Sequence, residues 1–319
     1  MVEIVKMMLA WRGRGEPRDS EDLIGRLPEI MQRKDIIRAG GLAVNRTRFT
    51  ANPITTLPPR EKLGISPVGF MNYRQLAKTY DGLDRKPRRD TIEGHELEAL
   101  EAFIRENGVV SIGYVKVDPD DIFIDRGILF PNAIVVSIQM PADKMKLAPS
   151  YETLRMILGT YARTGVVVNK IAALLRKWGF GAQAGAGLGG FTTYPVLAQK
   201  AGLGSFIRSG LLLTPESGPC HRLAVVYTNI KNFPAGKGNP CDWVSEYCDH
   251  CGICIERCPP KAIRTDPVRI NAKHLQHIQH DRCMAHFAKC YGCSICIKVC
   301  PFFVRGYHTL REKWDKRVG

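Results

Sequence analysis

"CYGCSICIKVCPF", Cys290 to Phe302, and its earlier echo "CDHCGICIERCPP", Cys248 to Pro260, decide how the C-terminal part of this chain folds. Both contain the pattern C-x2-C-x2-C-x3-C-P. Three cysteines at that spacing wrap a tight loop around one iron–sulfur cubane, and the fourth, ahead of a proline, reaches across to the other. The pattern assigns Cys248, Cys251, Cys254 and Cys300 to one [4Fe-4S] cluster. It assigns Cys290, Cys293, Cys296 and Cys258 to a second, with Cys283 an alternative to Cys290. Zinc is disfavoured, because it normally takes two C-x2-C pairs rather than a three-step run closed by Cys-Pro. Cys220 and Cys241 lie outside both runs and read as buried apolar packing.

All eleven cysteines fall within the last hundred of 319 residues, which points to metal ligation in a reducing compartment rather than to disulfides. Hydrophobic content of 45% and charged content of 24% are ordinary for a globular protein of about two units. No window is apolar enough to span a bilayer. "MVEIVKMMLAWRGRGEPRDS" places an apolar run before its arginines, the reverse of a secretory signal, so a cytoplasmic protein is expected.

The formal charge is +15. Two clusters with their thiolates bring this to about +11 by ligand counting. A basic excess favours acidic partners: an electron donor such as ferredoxin or flavodoxin, a membrane surface, or nucleic acid. The run "DRKPRRD", Asp84 to Asp90, reads as solvated surface. The tail "HTLREKWDKRVG" reads as a solvated end, with a short amphipathic helix in peripheral membrane contact as the alternative.

Three segments follow from the patterning. Residues 1–95, rich in Pro, Arg and Gly, form an arm packed on a larger body. Residues 96–239 form that body, and residues 240–319 the two-cluster domain, with "FPAGKGNP" (Phe233–Pro240) as the boundary. In the body "GHELEALEAFIREN" is a helix ending at Asn107-Gly108, while "VVSIGYVKV", "AIVVSIQM" and "RLAVVYTNI" are strands. Leu154, Ile157, Leu158, Tyr161, Val168, Ile171, Leu175 and Trp178 recur at helical spacing, with Gly165 placed to bend or divide that helix. "GAGLGG", Gly185 to Gly190, reads as following a helix rather than a strand and has no acidic residue about twenty positions on, so it makes a poor dinucleotide site. "AKHLQHIQHDRCMAHF" reads as a helix carrying His274, His277 and His280 on the linker between the cysteine runs.

Several further stretches carry a resemblance: "ILFPNAIVVSIQM", "KLAPS", "LLRKWGFGAQA", "YPVLAQKAGLGSFIRSGLLLTPESGP" and "RLAVVYTNI", joined to the doubled cysteine run. Together these resemble the corrinoid iron–sulfur reductases, the reductive dehalogenases more closely than the epoxyqueuosine reductases. The resemblance implies an α+β protein, an α/β nitroreductase-like cobalamin-binding body with a C-terminal bacterial-ferredoxin-like two-cluster domain. It implies a base-off corrinoid, consistent with the lack of D-x-H-x-x-G, and a small organic substrate that is reduced or dehalogenated. It further implies that Gly185, Gly187, Gly189, Gly190, Gly202, Gly204 and Gly210 let backbone approach the corrin, ordinary turn glycine being the alternative. By position Tyr161 matches the dehalogenase proton donor, although it also lies on the apolar stripe of its helix. The family's "GPRVR" reads "GPCHR" here, leaving His221 or Arg222 to replace the first arginine and suggesting a different substrate. The epoxyqueuosine branch, acting on tRNA, uses an acid where this chain has "YARTGVVVNK". An electron-transfer protein with the body as docking scaffold is the reading from another class.

Overall fold

The runs "NAIVVSIQ" and "HRLAVVYT" are nearly continuous in apolar and small residues, the mark of strands covered on both faces. In the computed structural model, which describes residues 34–45, 52–234 and 238–318, they are the two middle strands of a four-stranded sheet. The N-terminal stretch read for a signal lies outside the described residues, as do part of the arm and the middle of "FPAGKGNP". In chain order the body has helices α1 (Pro59–Lys78) and α2 (Gly94–Glu106), then strands β1 (Ser111–Lys116) and β2 (Asn132–Gln139). Helix α3 (Tyr151–Lys177), strand β3 (Ala182–Gly185), helix α4 (Tyr194–Lys200) and strand β4 (His221–Thr228) follow, with shorter elements between them. The strand order is β1-β2-β4-β3, every pair antiparallel, and β2 pairs β4 from Asn132 opposite Thr228 to Gln139 opposite His221.

Residue alternation sends side chains to two cores. On one face Ile134, Val136, Ile138 and Val226 pack with Leu100 and Ile104 of α2 and with Val168, Ile171 and Leu175 of α3. On the other, Ala133, Val135, Val225 and Tyr227 meet Phe191 and the α4 residues Leu197 and Ala198. The mixed helix-and-sheet class expected from the sequence is what the chain adopts. "GAGLGG" begins on strand β3, not after a helix as its reading assumed. The strand is only four residues long and poor in β-branched side chains, so pairing with β4 rather than local propensity makes it a strand. An antiparallel sheet still lacks the parallel crossover that a dinucleotide fold needs.

Two helices differ from expectation. Gly165 neither bends nor divides α3, which runs unbroken from Tyr151 to Lys177. It is instead the crossing point with α1, where a Cβ would stand 2.6 Å from Cβ of Gln75. Helix α1 itself is illegible in the sequence because Gly64, Pro67 and Gly69 interrupt its periodicity. Tertiary contact holds it: Nδ2 of Asn169 donates to the Gln75 carbonyl at 2.9 Å, and Nδ2 of Asn72 donates to the Leu158 carbonyl at 2.9 Å. The basic run is also more than solvated surface, since Arg89 makes a two-pronged pair with Glu96 and lies 4.6 Å over the Phe180 ring.

The C-terminal domain follows with α5 (Val244–Cys251), α6 (Ile253–Arg257), β5 (Ile263–Arg269), β6 (Leu275–Ile278) and α7 (His280–Lys289). Short helices α8 (Ile295–Lys298) and α9 (Pro301–Val304) and a final α10 (Tyr307–Val318) end the described chain. Strands β5 and β6 form an antiparallel hairpin, so the expected histidine-bearing helix begins only at His280. Hairpin pairing with β5 overrides the three-residue histidine spacing, and His274, His277 and His280 do not share a helical face. The tail is docked rather than solvated. Tyr307, Leu310 and Trp314 are buried, and the Tyr307 hydroxyl accepts from Nε1 of Trp243 at 2.9 Å while donating to the Pro240 carbonyl at 2.5 Å.

Gly165→Val tests the crossing. Overpacking against Gln75 should exceed any gain in helix propensity and destabilise the protein by about 1–3 kcal/mol, read as a lower urea midpoint by circular dichroism.

Candidate functional site

Each cysteine run is a loop whose backbone turns through the left-handed region. In the first, Gly252 (φ 61°) joins α5 to α6 between Cys251 and Cys254. In the second, Tyr291, Gly292, Cys293 and Ser294 all have φ between 48° and 76°. Three of those four carry a Cβ, a conformation that costs energy and persists only where the surroundings dictate it. Here it is the turning of the thiol loop that does so.

Cys248, Cys251, Cys254 and Cys300 line one cavity, together with Ile207, Arg208 and Phe302. Burial pushes the Cys254 thiol up to about 11 and Cys300 up to about 12, and the neighbouring Cys248 adds to both. Such thiols do not ionise at neutral pH unless a cationic core compensates them, which is what iron provides on binding. Among the described residues no three His, Cys, Asp or Glu side chains converge on a single-ion site. A cubane has wider corners than a lone ion, and the four thiols of the first set line one cavity.

The second group lies alongside. Cys258 is buried with Ala262 and Ile263, and Cys254, Cys283 and Cys296 pack against the same cluster. The Ala262 N–H donates to Sγ of Cys258 at 3.3 Å. Cys290 sits at the C-terminal cap of α7, its Sγ 3.7 Å from Nδ1 of His286.

Next to this group stand two of the three residues expected to act on substrate. The Arg222 guanidinium lies 4.6 Å over the Tyr161 ring. Half-buried Tyr161 and half-buried Cys296 pack on one apolar cluster containing Met140, Ile157, Cys220 and Ile297. The helical stripe gave Tyr161 its place, but its partnership with Arg222 depends on the docking of α3 against β4 and has no sequence signal. His221 is not part of this pair. Successive strand residues face opposite ways, and His221 is buried with Nδ1 3.1 Å from the Gly218 carbonyl.

The seven candidate glycines all have packing reasons within the protein. A Cβ on Gly187 would stand 2.8 Å from Cδ1 of Tyr161, so this loop lies directly against the candidate donor. Side chains at Gly185 and Gly190 would meet Tyr194, at Gly189 Leu76, at Gly202 the Gly238 carbonyl, and at Gly210 His277. At Gly204 a side chain would run into the Leu213 carbonyl. Lining a ring is not needed to account for any of them.

Residues 247–304 match the 4Fe-4S dicluster domain family. The tetrachloroethene reductive dehalogenase of Sulfurospirillum multivorans is 30% identical over 182 residues, covering 54% of this chain and 35% of that protein. The catabolic reductive dehalogenase NpRdhA has the same fold, with a TM-score of 0.67 at 19% identity over 85% of this chain and 42% of that one. This chain is similar to the reductive dehalogenases. A more distant relative, the epoxyqueuosine reductase of Cyclobacterium marinum, is 33% identical over 113 residues, 33% of this chain and 35% of that protein. The chain thus spans well under half the length of the dehalogenases it matches. Of the described helices, none is long and apolar enough to cross a membrane. Within the dehalogenase-like fold, Tyr161 and Arg222 meet at the edge of the dicluster domain.

Burial holds the His221 imidazole down to about 4, with Arg222 also lowering it and the Gly218 carbonyl opposing. An unfolded chain protonates this group near its ordinary value of about 6.5, so the unfolded state binds more protons in between. Stability should therefore fall as pH drops from about 6.5 towards 4 and level off below, by on the order of 2 kcal/mol at pH 5. His221→Gln should remove that slope from thermal midpoints measured between pH 7.5 and 5.

Proposed function

We propose that this chain is a corrinoid-dependent iron–sulfur reductase of the dehalogenase type, acting on a small organic molecule. The observation that carries it is the meeting of Tyr161 and Arg222 beside Cys296, in a chain similar to reductive dehalogenases. The residues suit such a cofactor in one further respect. Ser209 Oγ, Thr214 Oγ1, Ser217 Oγ and Arg222 Nε are buried without a hydrogen-bond partner, all in the segment leading to Arg222. Buried polar atoms are normally paired, and the amide arms of a corrinoid would pair these. A corrinoid, when bound, supplies a strongly reducing centre that weakens a carbon–halogen bond.

Chain residues supply the rest. Cys248, Cys251, Cys254 and Cys300 would hold one cluster, and Cys258, Cys293 and Cys296 three corners of the other. Reductive dehalogenation consumes two electrons and one proton, replaces a carbon–halogen bond by carbon–hydrogen, and releases halide. The hydroxyl of Tyr161 would deliver the proton to carbon. Arg222 places a positive charge over the ring that turns anionic once the proton has gone, and locks its orientation. His221, neutral and tied to Gly218, would act only as a support of the strand. The reading includes a nitroreductase-like body, a base-off corrinoid and a cytoplasmic setting. Its electron donor would be acidic, a ferredoxin or flavodoxin drawn by the +15 charge.

The chain should be reconstituted anaerobically with iron, sulfide and cobalamin. It should then retain about eight irons and carry cobalt. Halide release from tetrachloroethene and from 3-bromo-4-hydroxybenzoic acid, compounds named for relatives, would be followed with reduced methyl viologen. Loss of all cobalt on gel filtration would end the corrinoid reading. Tyr161→Phe should lower halide release by about 10²–10⁴-fold with iron and cobalt unchanged.

A further inference from the structure

One hairpin of the body reaches into the cysteine domain. Its strands, Ser205–Phe206 and Leu212–Leu213, pair antiparallel. The Ile207 N–H donates to the Leu211 carbonyl at 2.9 Å and the Gly210 N–H to the Ile207 carbonyl at 2.8 Å, which closes the tip. Gly210 turns there with φ 73°, and a Cβ on it would stand 3.0 Å from Cβ of His277. The Phe206 ring stacks on the His277 ring with centroids 6.0 Å apart. These contacts seat Arg208 at the first group of thiols. It lines the cavity formed by Cys248, Cys251, Cys254 and Cys300, and the adjoining one bounded by Asp249, Thr265 and Asp266.

Arg208 is paired with Asp249, and the pair is lopsided. The arginine side chain is 16% exposed and that of the aspartate 52%. Asp266, the other carboxylate at this place, is exposed as well. Water therefore screens the carboxylates more than the guanidinium, and a net positive field reaches the thiols. We propose that Arg208, carried on a loop of the body, raises the reduction potential of the first cluster. The potential of such a cluster follows local charge and the hydrogen bonds made to its sulfurs. Reduction adds one electron, supplied by the acidic donor already proposed, and neither makes nor breaks a bond. Arg208 stabilises the negative charge which that electron brings, and an arginine keeps its own charge at any working pH. The thiols register the same influence. Burial pushes the Cys248 thiol up and Cys251 adds to it, while Arg208 opposes both through its backbone N–H and its guanidinium.

The proposal rests on the iron–sulfur part of the proposed function and not on the corrinoid. The full chain is reconstituted anaerobically with iron and sulfide alone. Its reduced-cluster signals in electron paramagnetic resonance are then followed against applied potential. Arg208→Gln should keep about eight irons. It should lower one midpoint by about tenfold in the one-electron reduction equilibrium, about 59 mV, with the other unmoved. Arg208→Lys, which keeps the charge, should recover most of that shift. Asp249→Asn should move the same midpoint the other way, upwards and by less. Both midpoints unmoved in an Arg208→Gln protein that holds eight irons overturns the assignment. So does a fall in Asp249→Asn, the result of merely breaking the ion pair. Should Arg208→Gln lose iron, Asp249→Asn decides: a rise supports the assignment and no rise refutes it. An unaltered chain that takes up no iron ends the iron–sulfur reading and this proposal with it, and the iron count tells that result from a potential that does not move.

Discussion

Buried thiols that must become thiolates are the constraint on which the C-terminal half depends. Burial, reinforced by the neighbouring Cys248, lifts Cys254 to about 11 and Cys300 to about 12, so the protein portion disfavours the charged ligands it has gathered. An iron–sulfur core reverses the sign of that cost, which links cluster binding to folding. The crossing of ligands tightens the link. Cys300 belongs with the first run's cavity although it ends the second run, and Cys258 sits with the second group although it ends the first. Neither loop is complete without the other, so the two clusters and the short helices α6 and α8 that carry them form as a unit.

That unit in turn fixes the neighbourhood of Tyr161. Cys296, a member of the second group, packs on the apolar cluster that also holds Met140, Cys220 and Tyr161. The far wall of the same region comes from the sheet. Pairing of β2 with β4 puts Arg222 opposite Ile138, and the fully buried faces of both strands leave no freedom to slip by a residue. A one-residue slip would turn Arg222 to the other face and bring His221 to Tyr161. The Tyr161–Arg222 pair is thus set by register on one side and by the cysteine domain on the other.

Much of this was legible in the sequence for identifiable reasons. The doubled cysteine pattern and the strands "AIVVSIQM" and "RLAVVYTNI" carry local signals, and the fold agrees with them. Helix α1 was hidden because Gly64, Pro67 and Gly69 are locally unfavourable and are tolerated only where α3 supports them. The histidine spacing misled because residues three apart are compatible with a helix, whereas the hairpin is dictated by pairing with a separate strand, as of Leu275 with Arg269 and Ile278 with Ile263. The glycine string was read as approach to a cofactor, and the structure supplies another cause, the close packing of Tyr161, Tyr194 and Leu76. Arg222 was legible as a candidate, but its stacking on Tyr161 belongs to tertiary structure alone.

The altered "GPCHR" becomes intelligible in these terms. The resemblance implies an arginine at position 220, where this chain has cysteine. Positions 220 and 222 are two apart along extended backbone and therefore face the same way. Both indeed lie at Tyr161, Cys220 through the shared apolar cluster and Arg222 through its stacked guanidinium. In "GPRVR" the second arginine already falls at position 222, so Arg222 is its match and the exchange replaces only the nearer arginine by a small, apolar thiol. Burial pushes that thiol up to about 11, so at neutral pH it adds no charge of its own. The exchange takes one cation away and leaves a smaller side chain beside the ring, while Arg222 keeps its charge over it.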